Sequence, residues 1–427
     1  GNCHMRYLSG LILLSLLAWG SSLPADAWSQ GFFFWRAQGI QLTGLLAVAL
    51  LSALLLMATR PRWLEQRIGG LDHLYLLHKW SGIGTGVLVL LHWLLCKSPR
   101  WLTQLGWLEA GPRRLHQADP WRGLAKEFGE LAFYGMVLFL LISLVRKLPY
   151  QRFRLIHKLG AVLALLALLH SLYLLAPELR WAPFGLLTQA LCLLGIGAAL
   201  WSLTGQIGRG QRYTAELVAI RRHDNRIVEI DLQLPPTFSR HYQPGQFVLL
   251  TLHPAEGAHP FTILDHDIRS GLTTLAIKGL GDYTQQLSER LQLGLQAQIE
   301  GPFGRFILPP AEAHPHYWIA GGIGITPFIA WLENLAERGE QRPQTRLIYC
   351  VARHEELLFA ERLQQLTQAC GIQLQLIERD RDPRLDFGQL FQDANSRCWF
   401  CGPLRMRQAL ARVLAPQNLH YERFEFR

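Results

Sequence analysis

Two apolar segments in the first half of the chain each carry a histidine near both ends. His78 and His92 enclose the segment HKWSGIGTGVLVLLH, and His157 and His170 enclose HKLGAVLALLALLH. Because an ionisable side chain is costly inside a bilayer, a histidine in a membrane helix indicates a function. Fourteen residues span roughly 21 Å of helix, which places one imidazole near each membrane face. Two such helices can supply both axial ligands to two b-type haems stacked across the membrane.

Isolated membrane histidines have an alternative role as polar contacts between helices, and Gly82 and Gly86 as close-packing positions. The two matched histidine pairs favour haem ligation, with the glycines on the helix face of His78 to admit a flat macrocycle. In the second helix, however, thirteen residues leave the two rings about 140° apart. We therefore predict a local distortion between His157 and His170, such as a π-bulge, or a shifted imidazole rotamer.

Six apolar segments of the 427-residue chain are long enough to cross a membrane as helices. They cover roughly residues 7–23, 40–58, 74–95, 128–146, 157–175 and 184–204. The first resembles a cleavable signal peptide, but five spans follow it, so we expect a retained helix. With six spans, the two histidine-bearing helices run in the same direction. His78 then pairs with His157 at one face, and His92 pairs with His170 at the other.

The net charge of +10 raises nucleic-acid binding as an alternative. The basic residues, however, cluster beside the apolar segments, around residues 60–67 and 146–158, as juxtamembrane anchors do. The composition therefore favours the lipid bilayer as a partner and argues against nucleic acid.

The second half of the chain has the pattern of a soluble protein. From about residue 208, short alternating runs such as RIVEIDLQL and GQFVLLTL predict a small antiparallel barrel. From His316 the order strand, glycine-rich turn, helix, strand, helix predicts a parallel α/β domain. The expected fold is a multidomain membrane protein: an all-α six-helix transmembrane bundle over 6–207, an antiparallel β-barrel over 208–312 and an α/β parallel-sheet domain over 313–427.

Two motifs in the predicted barrel suggest a cofactor. HPFTI begins at His259, and its polar, stiff and aromatic residues form a strand edge able to hydrogen-bond a flavin, although any strand could begin in this way. KGLGDYT runs from Lys278 into a helical segment. There Gly281, Asp282 and Thr284 stand where an N-cap and free amides hold a pyrophosphate, or simply cap an ordinary helix.

Two further motifs lie in the predicted α/β domain. AGGIGITP, from Ala320 to Pro327, follows an apolar strand and opens a helix, so its amides can approach a phosphate. WFCGP ends a buried strand at the sheet edge where ligands of α/β domains bind. Cys398 and Cys401 also form a CxxC, for which a redox dithiol is the alternative. The chain ends in YERFEFR, so Phe424 or Phe426 is available to cover a ring.

The order HPFT, GDYT, GGIGITP and CGP with a terminal aromatic resembles the ferredoxin–NADP reductase superfamily. Behind six spans with paired histidines, the whole chain is similar to the NADPH oxidase and ferric reductase family, and most to its compact bacterial oxidases. His259 stands where the soluble reductases have arginine, which favours the oxidase branch.

The resemblance implies a role for each motif residue. The FAD isoalloxazine and ribityl chain would be bound by His259, Pro260, Phe261 and Thr262, and the FAD phosphates by Lys278, Gly281 and Thr284. The phosphate loop for the nicotinamide dinucleotide would be formed by Gly321, Gly322, Gly324, Thr326 and Pro327. Cys401, Gly402 and Pro403 would flank the nicotinamide, and Phe424 would stack on the flavin and move aside for hydride transfer. Arg353 is placed to meet a 2′-phosphate, which favours NADPH with NADH as the alternative, or is a solvated charge at a helix start.

The resemblance further implies an NAD(P)H oxidase in which hydride passes from NADPH to FAD, and single electrons pass through the His78/His157 haem and the His92/His170 haem to dioxygen, giving superoxide. Lipid, NAD(P)H and dioxygen are then the expected partners, with no obligatory protein partner. Basic loop charges near the two membrane faces are almost equal, about nine against about eight, so they leave orientation open. Because reduced nicotinamide is available in the cytosol, we expect a multi-pass protein of the bacterial inner membrane with cytoplasmic FAD and NAD(P) domains.

Three alternatives remain. A ferric-chelate reductase has the same architecture, and the basic loop 96–127 would attract an anionic chelate. An electron-supplying subunit for a periplasmic or quinone-linked acceptor is a second, although haem-only subunits of that kind lack a nucleotide domain. A plain transporter is the third, and residues 210–427 argue against it.

Overall fold

The computed structural model describes residues 5–109, 119–144, 150–207, 209–223, 227–254, 257–278 and 290–422. The chain divides into two units, the first ending at Arg209 and the second covering Gly210–Arg427. Each unit has its own hydrophobic core. Four residues with expected cofactor roles lie outside the described residues: Gly281, Asp282, Thr284 and Phe424.

The first unit is entirely helical in its described part. Its helices are α1 (Met5–Ser21), α2 (Phe32–Ala58), α3 (Arg62–Ile68), α4 (Leu71–Gln104), α5 (Pro120–Leu144), α6 (Tyr150–Leu174) and α7 (Pro183–Leu203). Four helical segments are long and apolar enough to cross a membrane, namely α2, α4, α7 and residues His157–Leu174 of α6, while α1 is apolar but shorter. The predicted all-α membrane bundle is therefore confirmed, with about four to six crossing helices.

The packing of the helical unit centres on α2. This helix packs against α4 on one side and α7 on the other, and α6 packs against α5 and α7. Small residues allow close approach: Ser52 Oγ of α2 donates a hydrogen bond to the Leu191 carbonyl of α7 at 2.7 Å. A Cβ on Gly195 would lie 2.7 Å from that Oγ, so glycine is required there. Helices α2 and α7 have no polar face, as expected for helices that are surrounded by neighbouring helices and lipid.

Helix α6 settles the question of the thirteen-residue spacing. Its backbone is α-helical throughout Tyr150–Leu174. The predicted π-bulge between His157 and His170 is therefore wrong. Both rings nevertheless lie beside histidines of α4, so the thirteen-residue spacing is compatible with two pairs, and the shifted imidazole rotamer stays a prediction.

The second unit begins with a closed antiparallel barrel. Its strands are β1 (Arg212–Arg222), β2 (Ile227–Gln233), β3 (Phe247–Thr251), β4 (His259–His266), β5 (Leu272–Lys278) and β6 (Gln296–Phe303), in the order β1-β2-β5-β4-β3-β6. A single-turn helix α8 (Pro236–Ser239) follows β2. Alternate residues of the strands, including Leu217, Ile230 and Leu275, fill the barrel core. This confirms the predicted antiparallel barrel.

A five-stranded parallel sheet follows the barrel. Its strands are β7 (His316–Gly321), β8 (Thr345–Val351), β9 (Gln373–Glu378), β10 (Arg397–Cys401) and β11 (Leu419–Tyr421), in the order β11-β10-β7-β8-β9. The helices among them are α9 (Thr326–Glu337), α10 (Ala360–Ala369), α11 (Phe387–Leu390) and α12 (Leu404–Ala411). Strands β7 and β10 are direct neighbours, so the segments that follow them meet at one edge of the sheet. The predicted parallel α/β domain is confirmed.

The barrel and the sheet share one buried core. Leu264 of the barrel belongs to the same apolar cluster as Trp318 and Trp331 of the sheet domain. Trp331 Nε1 of α9 also donates a hydrogen bond to the Pro244 carbonyl beside β3 at 3.0 Å. These contacts fix the position of the barrel relative to the glycine-rich turn that opens α9.

Candidate functional site

The four membrane histidines form two facing pairs between α4 and α6. The ring centroids of His78 and His157 lie 6.0 Å apart, and those of His92 and His170 lie 6.5 Å apart. Two imidazoles that ligate one metal from opposite sides, each with a metal–nitrogen bond of about 2.0 Å, have centroids roughly 6 Å apart. Both separations therefore fit two metal centres, each with one ligand from either helix.

The two histidine-bearing helices are not close neighbours along their described lengths. Helix α4 packs chiefly against α2, and α6 packs chiefly against α5 and α7. The rings of His78, His92 and His170 are half-buried, and His157 is exposed. The imidazoles of these two helices nevertheless form two facing pairs, as ligands on opposite sides of a flat macrocycle would.

Backbone carbonyls of neighbouring helices orient three of the rings. The Nδ1 atoms lie at hydrogen-bond distance from carbonyl oxygens in three pairs: His78 with Leu54 (3.2 Å), His92 with Ile40 (3.1 Å) and His170 with Ala125 (2.7 Å). A carbonyl oxygen can only accept, so each Nδ1 carries the proton and each Nε2 presents its lone pair. Metal-ligating histidines are held in this way. The donor set of the site therefore fits haem iron.

Helix α5 approaches the ring of His170 at a glycine. A Cβ on Gly129 would lie 2.4 Å from both Cε1 and Nδ1 of that ring. A similar but looser approach occurs on α2, where a Cβ on Gly44 would lie 3.4 Å from His92 Cε1. Sequence reasoning missed both glycines, because each is remote in sequence from the histidine that it contacts.

The two glycines near His78 have packing partners. A Cβ on Gly82 would lie 3.3 Å from Leu54, and one on Gly86 would lie 2.7 Å from Leu140. Helix packing therefore accounts for both positions, as in the alternative weighed for them. His157, on the other helix, packs its ring against Phe139, with a centroid separation of 5.2 Å.

The HPFT segment forms the start of β4. His259, Pro260 and Phe261 are half-buried and Thr262 is buried. Thr262 pairs across the sheet with Phe247 of β3, and Lys278 ends β5 and is half-buried. The first FAD motif thus lies along a strand edge of the barrel, while the GDYT residues that follow Lys278 lie outside the described residues.

The GGIGITP turn and the CGP turn are packed against one another. A Cβ on Gly324 would lie 2.2 Å from the Cys401 carbonyl oxygen, and one on Gly321 would lie 2.6 Å from Pro403 Cδ. Gly322 has a φ of +57°, in the left-handed region that favours glycine. The turn leads directly into α9, whose first turn contains Thr326 and Pro327. The structure therefore brings both nucleotide motifs to the carboxyl edge of β7 and β10.

Glu422 connects this edge to the barrel. A Cβ on Gly304, at the end of β6, would lie 2.5 Å from Glu422 Oε1 and 3.2 Å from Phe247 Cδ1. Burial and the Glu422 carboxylate together raise the pKa of the Cys401 thiol well above its usual range. Sequence reasoning missed Glu422. The available signal was its position in the sequence, two residues before Phe424. The sequence does not show that this carboxylate is buried.

The CxxC cysteines lie on opposite faces of β10. Cys398 packs with Ile319 and Leu410 on one side of the sheet, whereas Cys401 packs with Trp318 on the other. Both are fully buried, and burial raises the pKa of each thiol. These two cysteines therefore do not form a redox dithiol.

Arg353 follows β8 at the same edge of the sheet. Its side chain is exposed, and its backbone is extended at the start of a short 3₁₀ helix. The neighbouring His354 is held by Glu378, with Nδ1 at 2.6 Å from Oε1. Arg353 is thus accessible to an anionic group bound above the sheet.

Three family models match successive parts of the chain. They are a ferric reductase like transmembrane component over residues 43–181, an FAD-binding domain over 212–306 and an oxidoreductase NAD-binding domain over 318–412. The matched ranges correspond to the helical unit, the barrel and the parallel sheet.

Among curated proteins, the chain is similar to the stachydrine N-demethylase reductase subunit Stc4 of Rhizobium meliloti, at 27% identity over 46% of this chain and 61% of the relative. It is 33% identical to the ferredoxin–NAD(+) reductase component of the alkene monooxygenase system of Xanthobacter autotrophicus, over 34% of this chain and 43% of the relative. The chain thus spans about half of the length of these relatives.

A flavohemoglobin from Malassezia yamatoensis, solved with bound FAD and heme, aligns with 91% of this chain and 98% of its own at 17% identity and a TM-score of 0.49. A TM-score at this level assigns neither a fold nor a function.

Proposed function

We infer the function of this chain from its architecture, which is that of the NADPH oxidase and ferric reductase family: a ferric reductase-like transmembrane component fused to an FAD-binding and an NAD-binding domain. It is a membrane flavoprotein oxidoreductase that takes electrons from NAD(P)H through FAD. We propose that it binds two b haems and delivers the electrons across the bilayer to dioxygen, giving superoxide. The nucleotide domains would face the cytoplasm of a bacterial cell, whose inner membrane the chain would span.

The observation that carries this proposal is the orientation of the histidine rings. The ring centroids of the two pairs lie 6.0 and 6.5 Å apart, and carbonyl oxygens of α2 and α5 lie at hydrogen-bond distance from three of the Nδ1 atoms. These contacts support ligation by His78 with His157 and by His92 with His170. When bound, FAD converts a hydride into single electrons and haem iron carries them one at a time. His78, His157, His92 and His170 would supply both ligands of each haem, so the acceptor would take its electron without binding the iron.

At the nucleotide end, two turns of this chain would bind the coenzyme. Gly321 and Gly324 allow the glycine-rich turn to pack closely against the CGP turn. The glycine-rich turn leads into α9, and the backbone amides at the start of this helix would bind phosphate. The buried Cys401 thiol stays neutral, and we propose that it contacts the nicotinamide beside Gly402 and Pro403. Phe424 would cover the flavin.

The exposed Arg353 supports NADPH over NADH as the electron donor, because a guanidinium pairs with the 2′-phosphate that only NADPH carries. Arg353→Ala should raise the KM for NADPH by roughly tenfold, the effect of about 1.4 kcal/mol, and leave the KM for NADH unchanged. Equal changes for both coenzymes would contradict this role.

The proposed function is tested by NADPH consumption in the purified protein with haem and FAD present and oxygen as the acceptor. Superoxide is followed by cytochrome c reduction with and without superoxide dismutase. Dismutase-sensitive reduction that matches NADPH use supports the oxidase. Slow turnover with oxygen that accelerates with a ferric chelate would overturn it in favour of a ferric-chelate reductase.

In the proposed path, the inner haem would be held by His78 and His157 and the outer haem by His92 and His170. A variant of this outer pair tests the path of the electrons. His92→Ala should lose one haem from the optical spectrum and lower superoxide formation at least tenfold, while NADPH still reduces the flavin. His241→Ala, at an exposed position on the barrel, should behave as the unchanged protein. Full superoxide formation by His92→Ala would contradict the proposed ligation.

A further inference from the structure

The outer histidine pair contains a hydroxyl contact beyond the carbonyl contacts. His92 Nδ1 lies 3.1 Å from Thr43 Oγ1 as well as 3.1 Å from the Ile40 carbonyl oxygen. In the described part of the chain, the Nδ1 atoms of His78 and His170 each have a single carbonyl acceptor. The Nδ1 proton of His92 is therefore shared between two oxygen atoms of α2.

The direction of the Thr43 hydroxyl is fixed by its own helix. Its hydrogen points to the Gly39 carbonyl oxygen at 2.7 Å, with the Ile40 oxygen further away at 3.3 Å. Threonine in a helix commonly donates to the carbonyl four residues earlier. Because this donation uses the only hydroxyl hydrogen, the Oγ1 atom has a lone pair to accept from the Nδ1–H group of His92.

Two glycines of α2 lie beside this part of α4. A Cβ on Gly44 would lie 3.4 Å from His92 Cε1, and one on Gly39 would lie 3.0 Å from the Leu95 side chain. Thr43 is half-buried between these two glycines. In an environment that contains little water, the hydrogen bonds to the ring are stronger than at a surface.

We propose that Thr43 is a positioning residue that lowers the reduction potential of the outer haem through His92. A second acceptor on Nδ1 makes the imidazole a stronger electron donor, which stabilises the oxidised iron relative to the reduced iron. The outer centre then gives up its electron more readily to the acceptor. This inference rests on the haem ligation proposed above.

The test is a redox titration of the purified full-length protein with haem and FAD bound, followed by the haem absorbance. In Thr43→Val, which keeps the shape but removes the hydroxyl, the reduced-to-oxidised ratio of the outer haem at a fixed potential should rise about threefold to tenfold. For a one-electron couple this is an upward shift of about 30 to 60 mV. The inner haem should keep its potential. In Thr43→Ser, which keeps the hydroxyl, the outer haem should have the potential that it has in the unchanged protein.

Two further variants make the result specific. Thr188→Val removes a buried hydroxyl that makes the same kind of helical hydrogen bond on α7, at 2.8 Å to the Phe184 carbonyl, and should move neither potential. His92→Ala identifies which titration step belongs to the outer haem. The low-spin electron paramagnetic resonance signal of the outer haem should change in Thr43→Val and return in Thr43→Ser.

The outcomes separate this inference from the proposed function. Two haems whose potentials are identical in Thr43→Val and the unchanged protein would overturn the role of Thr43 and leave the ligation intact. An unchanged protein that binds no haem would overturn the proposed function itself. Loss of the outer haem in Thr43→Val but not in Thr43→Ser would support the positioning role, and loss in both would overturn it.

Discussion

At the scale of single residues, the proposed haem site depends on an absent side chain as much as on the histidines. Gly129 of α5 lies so close to His170 that a Cβ would overlap the ring, at 2.4 Å from two of its atoms. The same approach brings the Ala125 carbonyl to 2.7 Å from Nδ1. One glycine thus permits both the position and the protonation pattern of the ring.

Gly129→Ala should therefore displace His170 and remove one of the two haems. Overpacking of this kind costs about 1–3 kcal/mol. The steric overlap is relieved only when the His170 ring moves out of its position beside α5. The measurement is the haem-to-protein ratio from the optical spectrum, which should fall by about half. Gly123→Ala is the matched control on the same helix, because a Cβ there meets nothing within 4 Å. Equal haem content in both variants would contradict this account.

The buried thiols of β10 have a consequence for stability against pH. Burial raises the pKa of Cys398 and Cys401 in the folded chain, while unfolded thiols ionise near pH 8.5. Above that pH the unfolded chain loses protons that the folded chain retains. The free energy of unfolding is therefore unaffected by these thiols below about pH 8.5 and decreases as the pH rises further. Each thiol contributes a slope of about 1.4 kcal/mol per pH unit.

Thermal unfolding between pH 8 and 10 should accordingly show a steep loss of stability of the second unit. Cys398→Ala removes one ionisable group and should make the decline shallower, after correction for its lower starting stability. Cys96→Ala is the control, because Cys96 lies on α4 of the first unit. A slope that is the same in Cys398→Ala and Cys96→Ala would rule out this explanation.

At the scale of elements, α4 continues through a proline with help from α2. Pro99 has no N–H group to donate to the Leu95 carbonyl four residues earlier. Arg36 of α2 donates to that carbonyl through Nε and to the Cys96 carbonyl through Nη2, each at 2.9 Å. The interhelical hydrogen bonds therefore replace the missing helical one and hold the end of α4 beside His92.

Arg36→Met should destabilise the helical unit by about 1–3 kcal/mol, because it removes two hydrogen bonds between α2 and α4 and leaves the Ser98 hydroxyl, at 2.8 Å, as the donor to the Leu95 carbonyl. In the background of Pro99→Ala the residue at position 99 supplies its own N–H, so the same substitution should cost less. A double-mutant cycle on thermal stability in detergent measures this coupling, which we expect to be about 1 kcal/mol. Strictly additive effects would show that the two residues act independently.

At the scale of the whole molecule, the FAD barrel and the NAD sheet form one unit through their shared core. Trp331 lies in that core, stacks on Phe306 with centroids 4.8 Å apart and donates to Pro244. Gly245 has a φ of +101°, and a Cβ there would lie 2.4 Å from Trp331 Nε1. The relative position of the two cofactor motifs is therefore set by packing between the domains.

Trp331→Ala should cost about 3–5 kcal/mol and weaken the binding of FAD and of NADPH together, although Trp331 belongs to the NAD domain. The measurements are flavin retention on purification and the KM for NADPH in the full-length protein. Leu293→Ala is the control, because that side chain is 66% exposed in a loop of the same unit. Loss of NADPH binding with full flavin retention would show that the two domains are independent.

Much of this organisation could be predicted from the sequence. The apolar spans, the four histidines and the change to alternating strands near residue 208 are local patterns, so they indicated the helical unit, the barrel and the parallel sheet. The π-bulge was predicted from the spacing of His157 and His170 alone, and it is wrong because a spacing does not specify side-chain torsions or helix crossing.

The sequence by itself determined the helical unit, the barrel and the parallel sheet, and the residues to which we assign the chemistry, because hydrophobic length, period and motif order act within single segments. Only the tertiary structure decided what holds those residues in place. Ile40 and Thr43 meet His92, Ala125 and Gly129 meet His170, and Glu422 meets Gly304. Each of these contacts joins positions from different elements, and such contacts arise from packing, which no local pattern encodes.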